Sequence, residues 1–203
     1  MSVLDDARLV LLRHGETSWS TLHRHTGRTD LPLTERGEAQ ARAAGPLLSA
    51  LKLRDPLVFT SPRQRARQTA ELAGLTTSTV DEDLAEWDYG DYEGLTTPEI
   101  RESAPGWTIW TGAVPGGESA DAVQARADRV LATVAPRLPE RDIVLVGHGH
   151  FSRALIARWA EFDIREGRRF AMSTGALTVL GHEHEVRTIL AHNLVPTAEG
   201  ETL

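Results

Sequence analysis

Cysteine is absent from this chain of 203 residues, which removes disulfides, thiolate metal ligands and cysteine nucleophiles together and leaves the redox compartment undetermined. Any covalent catalysis must use another side chain. No apolar run approaches the roughly 18 residues that span a bilayer, and Met1 to Asp6 carries acids where a signal peptide carries lysine or arginine. A cytoplasmic location and no membrane partner are the expectation. Net positive charge is lacking too: the formal charge is −7, which argues against nucleic acid as a partner. Local charge can oppose the global sign, and arginines 13, 63, 65 and 67 stand in two short blocks able to receive an anion.

What remains has the make-up of an ordinary folded domain. Hydrophobic residues are 40% and charged residues 25%, near the averages for soluble proteins, and the length suits one domain over 1–203. The apolar runs at 8–12, 56–60 and 143–146 each end in polar residues or glycine and read as buried strands feeding functional loops. Helical spacing of apolar residues predicts a helix over 34–51, kinked or split at Gly45-Pro46, and another along Val123, Ala127, Val130, Leu131 and Val134, capped by Ser119. Ser61-Pro62-Arg63-Gln64 predicts a helix starting at Pro62, and a further helix is expected over roughly 151–160. Residues 177–180 and 186–190 flank Gly-His-Glu-His-Glu in the manner of an edge hairpin. Strands alternating with helices imply an α/β fold, a three-layer αβα sandwich with a mostly parallel central sheet and an antiparallel edge hairpin. The stretch 87–119 reads as an excursion over one end of the sheet, and the tail after about 195 is expected to be mobile.

In such sheets the ligand site lies beyond the carboxyl ends of the strands, where side chains following separate strands converge. Arg13 and His14 follow the first strand, Arg63 and Arg65 the second, and His148 the third. A phosphoryl group in transfer spreads negative charge over three oxygens, and arginine offers permanently charged planar donors to hold them. A neutral imidazole is a competent nucleophile, and neighbouring arginines disfavour its cationic form. His14 is thus the candidate nucleophile. The leaving alkoxide needs a proton from a carboxyl group, for which Glu86, Asp83, Asp88 and Asp91 are rivals that spacing does not separate.

Leu11-Leu12-Arg13-His14-Gly15-Glu16-Thr17 resembles the signature of the histidine phosphatase, or phosphoglycerate mutase-like, superfamily, and the likeness covers nearly the whole chain. It implies that His14 is phosphorylated and that Arg13 binds the phosphate. Ser61 to Thr69 is similar to the family's second motif and assigns the phosphate contact to Arg65, which leaves Arg63 and Arg67 in second rank. Leu84-Ala85-Glu86 followed by Gly90 to Gly94 selects Glu86, and Val146-Gly147-His148-Gly149 implies that His148 hydrogen-bonds the phosphate. Residues 26–34, with Thr26 and Gly27, fit a segment closing over the pocket, and Ser20 stands where many members place asparagine on the phosphate.

The same core serves mutases and phosphatases. The region that carries basic residues in cofactor-dependent phosphoglycerate mutases offers only Arg101 here, beside Trp107 and Trp110, which either wall the substrate pocket or fill the core. A metal-independent acid phosphatase is therefore expected, with small phosphate esters as partners, no cofactor and no metal. The alternatives are the mutase, a protein phosphohistidine phosphatase and a non-catalytic phosphate-binding module. A homodimer is left open. His182 and His184 read as hairpin polarity rather than metal ligands, and His23, His25 and His150 as pocket rim or surface.

Overall fold

The computed structural model describes residues 7–75 and 77–196; the acidic N-terminus and the end of the tail, 197–203, lie outside the described residues. Six strands form one sheet: β1 (Leu9–Arg13), β2 (Leu57–Thr60), β3 (Thr79–Val80), β4 (Ile143–Gly147), β5 (Leu177–Glu183) and β6 (Val186–Leu194). Their order is β3-β2-β4-β1-β5-β6, parallel from β3 to β1 and antiparallel at β5 and β6. The helices are α1 (Ser18–Thr21), α2 (Glu35–Ala50), α3 (Gln64–Leu72), α4 (Thr97–Ser103), α5 (Ala120–Val134) and α6 (Gly149–Trp159).

Side-chain alternation explains why β1 and β4 read as continuous apolar runs. Leu9, Leu11, Ile143 and Leu145 join the core under α5 and α6, whereas Val10, Leu12, Val144 and Val146 join the core under α2 and α3. Two apolar layers thus clamp the sheet, giving the expected three-layer arrangement. The excursion over 87–119 is more ordered than its sequence suggested. It contains α4 and buries Trp87, Tyr89, Trp107 and Trp110 against the α5/α6 side.

The helix starts follow local chemistry. The Thr34 hydroxyl accepts the Gly37 N–H and that of Ser119 accepts the Ala122 N–H, as capping residues should. Of the kink or split expected at Gly45-Pro46, the split does not occur: α2 runs through both residues, with Ala44 and Leu48 buried in the core. Proline removes only its own N–H, and the packing on either side holds the helix together. Gly45 has a role there, since a Cβ would come 3.2 Å from the Ala73 carbonyl at the end of α3. The expected start of α3 at Pro62 is also corrected, to Gln64, whose N–H goes to the Asp30 carboxylate at 2.7 Å. Ser61 does not cap this helix because Arg63 holds the N-cap position; the Ser61 hydroxyl meets His148 and accepts the Arg63 N–H at 3.3 Å.

The hairpin is tighter than expected. β5 and β6 extend to Glu183 and Val186, leaving His184 and Glu185 as a two-residue turn with φ of 50° and 68°. His182 lies within β5, its ring 5.1 Å from that of Trp159. Among the described residues no group of three or more His, Asp or Glu side chains is placed to hold a metal, and no helix is long and apolar enough to cross a membrane.

At the amino ends of the strands, Asp142 is fully buried and accepts the backbone N–H of Arg8 (2.9 Å) and of Arg54 (2.7 Å) and the Arg8 guanidinium (2.8 Å). It ties the entries to β1, β2 and β4 together. Asp142→Ala leaves two partly buried N–H groups and the Arg8 guanidinium without their acceptor and is expected to destabilise by roughly 2–4 kcal/mol. Differential scanning fluorimetry should then show a Tm about 5–15 °C lower. An unchanged Tm would refute the clamp.

Candidate active site

Parallel register brings the functional loops to one level. Arg13 pairs with Gly147, and the His14 N–H reaches the Gly147 carbonyl (2.9 Å) while the Ser61 N–H reaches that of Val146 (2.9 Å). His14, Ser61 and His148 therefore emerge side by side at the carboxyl ends of β1, β2 and β4. The loop after β1 is locked by contact of backbone on backbone. A Cβ on Gly15 would lie 2.2 Å from the Gly37 carbonyl oxygen, and one on Gly37 would lie 2.1 Å from that of Glu16. The Gly15 N–H is held by the Thr69 hydroxyl at 3.0 Å.

The His14 ring is buried and 2.7 Å from the Gly15 carbonyl through Nδ1. A carbonyl only accepts, so Nδ1 carries the proton and Nε2 keeps its lone pair. Burial, then the positive charges of Arg65 and Arg13, hold this histidine well below its ordinary pKa, against a smaller opposing effect of the Gly15 bond. Arg13 donates through Nη1 to the Met172 carbonyl, while its buried Nε has no protein partner. Arg13 and His14 both line the cavity, so a permanent positive charge stands beside a neutral imidazole there.

The His148 ring lies 5.3 Å from that of His14 at 63°. Both of its nitrogens are engaged: the Arg65 Nε donates to Nδ1 (3.2 Å), and Nε2 pairs with the Ser61 hydroxyl (2.7 Å). Arg65 is fully buried, and its remaining bonds go to the carbonyls of Thr29 (2.8 Å), Thr26 (3.0 Å) and Gly27 (3.3 Å). Arg65 and His148 thus stand immediately behind His14, engaged with protein rather than lining the cavity. Burial followed by the Arg65 charge lowers His148 well below the usual histidine range.

Glu86 lines the cavity across from this group. Its Oε1 accepts the N–H groups of Trp87 (2.9 Å) and Phe151 (2.8 Å), and its Oε2 accepts that of His150 (3.0 Å). The carboxyl group therefore caps the N-terminus of α6 from another segment, which fixes its position. Its rivals are engaged elsewhere: Asp83 pairs with Arg129 (2.8 Å) and Asp88 with Arg28 (2.5 Å), and Asp91 lies beside Gly116.

The cavity has a volume of about 260 Å³. Ser20 and Thr26 line it, although the Ser20 hydroxyl donates to the Thr17 carbonyl (2.9 Å) and that of Thr26 to the Arg24 carbonyl (3.0 Å). Gly27 does not face it; its N–H is held by Glu93 at 3.0 Å. The expected pocket residues Trp107, Trp110 and Arg101 also stay outside. The tryptophans are core, and the Arg101 Nε binds the Trp107 carbonyl at 2.8 Å.

The walls instead include Arg24, Tyr89, Thr97 and Arg153, with His23, His25 and His150, which the sequence placed at the rim or the surface, also lining the cavity. Tyr89 stands three residues after Glu86 and carried no chemical signature of its own. Arg153 stands three residues after His150 on α6, a helical period that could have exposed it. The Tyr89 hydroxyl meets the His150 Nδ1 at 2.7 Å, and the His25 Nε2 meets the Thr97 hydroxyl at 3.2 Å. Burial lowers His25 to about 4 and drives His150 well below its ordinary value, which favours the neutral ring at both.

Comparison with known proteins gives a consistent result. A family model described as the histidine phosphatase superfamily (branch 1) matches residues 9–195. An acid phosphatase of Mycobacterium tuberculosis is 55% identical over 182 residues, 90% of each chain. A 2,3-bisphosphoglycerate-dependent phosphoglycerate mutase of Brucella canis is 38% identical over 165 residues, 73% of this chain and 79% of that protein. A solved structure of an open reading frame from Mycobacterium tuberculosis superposes with a TM-score of 0.92 at 53% identity, covering 94% of this chain and 99% of the other.

Proposed function

The chain belongs to branch 1 of the histidine phosphatase superfamily and is an enzyme of that family, and from this premise we propose that it hydrolyses small phosphomonoesters through a phosphohistidine on His14, with Glu86 as acid and base and no metal. The observation that carries the reading is a His14 whose Nδ1 is held by the Gly15 carbonyl, leaving Nε2 unprotonated, in a cavity lined also by Arg13 and Glu86. In the first step Nε2 attacks phosphorus, the P–O bond to the leaving group breaks, and the alkoxide takes a proton from Glu86. In the second, water attacks phosphorus, gives its proton to the Glu86 carboxylate, and the P–N bond breaks to release phosphate. Oε2 makes one hydrogen bond where Oε1 makes two, which leaves it the freer oxygen to carry that proton. Arg13 holds the equatorial oxygens, joined by His148 once phosphate draws its donor from Ser61 and by Arg65 through the Nη1 hydrogen that Thr29 does not take.

The acid phosphatase relative supports hydrolysis, and a cavity of about 260 Å³ suits a small ester better than a phosphoprotein. The Brucella relative favours phosphoglycerate mutation instead, and Arg24 and Arg153 in the wall would receive the acid group of such a substrate. Turnover on sugar phosphates, bisphosphates, nucleotides and phosphopeptides, with 3-phosphoglycerate isomerisation beside it, separates the readings. Hydrolysis is expected to persist in EDTA, and activity appearing only with a divalent ion would overturn the metal-free mechanism. Because His14 sits well below its ordinary pKa, it stays neutral as pH falls through 6.5, so phosphoenzyme formation should continue into the acid range. Rapid-quench labelling that vanishes between pH 7 and 6, or a rate still climbing above pH 9, would contradict this.

A further inference from the structure

Arg65 is fully buried, yet none of the hydrogen bonds it makes among the described residues goes to a carboxylate. Its guanidinium faces the carbonyls of the turn at 26–29. On the opposite side of that turn lies Glu93, whose carboxylate accepts the Gly27 N–H through both oxygens (3.0 Å each) and the Thr29 N–H through Oε1 (3.0 Å). Glu93 likewise has no arginine or lysine among these contacts. The two charges share one peptide group, because the Thr26 carbonyl that accepts from Arg65 and the Gly27 N–H that donates to Glu93 belong to the same amide.

A trans amide carries its C=O and N–H in opposite directions, so a carboxylate on one side and a guanidinium on the other polarise it in the same sense. Each end strengthens the bond at the other. The turn has no slack with which to drift: a Cβ on Gly27 would lie 2.6 Å from the Trp87 carbonyl and 3.0 Å from Glu93. Arg65 in turn fixes the His148 ring through Nδ1, and His148 reaches Ser61.

We propose that Glu93 is a positioning residue for Arg65, acting across the Thr26–Gly27 amide to aim the guanidinium at His148 and at the bound phosphoryl group. This rests on the reading of the cavity as a phosphoryl site. Among the described residues the hydrogen bonds of the carboxylate go to the turn, and Glu93 does not line the cavity.

The test is a double-mutant cycle between Glu93→Gln and Arg65→Lys, read as kcat/KM on 4-nitrophenyl phosphate and as affinity for inorganic phosphate by calorimetry. Glu93→Gln keeps the side chain's size but offers one acceptor oxygen in place of two. It is expected to lower kcat/KM about 10- to 100-fold, as a misaimed donor does. In the Arg65→Lys background the same change should cost less than about threefold, because lysine cannot make the forked contacts that Glu93 supports. Glu93→Asp, which keeps both oxygens, should restore part of the loss. Equal effects in both backgrounds, or full activity of Glu93→Gln, would overturn the proposal. Should Glu93→Gln fail to fold, the cycle run with Glu93→Asp decides by the same criterion of non-additivity. If the wild type hydrolyses no ester, the function proposed above fails by itself, and coupling in phosphate affinity still judges the role of Glu93.

Discussion

His14→Ala is expected to remove turnover, lowering kcat by roughly ten-thousand-fold or more while leaving the melting temperature within a few degrees of wild type. The size follows from the chemistry: without Nε2 there is no atom to accept phosphorus, and water must attack an anionic ester directly. Other groups contribute through that attack and not in place of it, so little remains when it is lost. The fold should survive because the loop is held by backbone bonds to Gly147 and by the Thr69 hydroxyl, not by the imidazole. Steady-state assay with a melting curve checks both halves. A variant that retains even a tenth of the activity would remove His14 from the role of nucleophile.

Glu86→Gln carries the second large effect, about 100- to 10,000-fold on kcat for alkyl phosphates, whose leaving groups need a proton. With 4-nitrophenyl phosphate the departing phenolate needs little protonation, so phosphorylation should stay fast and dephosphorylation, which lacks its base, should become slow. Stopped-flow absorbance is expected to show a burst of nitrophenolate equal to the enzyme concentration before a slow steady state. A uniform loss without a burst would remove the acid and base roles from Glu86. Some loss of stability, about 1 kcal/mol, should accompany the change because the amide N–H₂ faces a donor at the start of α6.

Much of the fold was readable because burial on both faces leaves a simple trace in sequence. The runs at 8–12 and 143–146 became central neighbouring strands, and the capped stripe from Ser119 became α5. What failed to show was set by tertiary contacts. Pro46 reads as a break until Ala44 and Leu48 are known to be buried on either side. Ser61-Pro62 reads as a cap until Arg63 is seen in the N-cap position, with the Ser61 hydroxyl on His148. Motif positions after the strands were recoverable because the topology of parallel sheets dictates where they converge. The walls at Arg24, Tyr89 and Arg153 were not, since the turn after α1, the 87–92 segment and α6 come to one cavity only in the folded chain. Tryptophans 107 and 110 show the converse, a strong compositional signal absorbed by the core.

The paired glycines at 15 and 37 carry a consequence for how such a protein can change. Neither position tolerates a side chain, because each would collide with main-chain atoms that have nowhere to go. The reacting centre is therefore rigid in its own geometry, and no nearby substitution can retune it gradually. Adaptation to a different ester must come from the far side, where Arg24, Thr97, Arg153 and Met172 can be exchanged one at a time. A lineage built on this scaffold can keep one reaction unchanged while its choice of leaving group wanders.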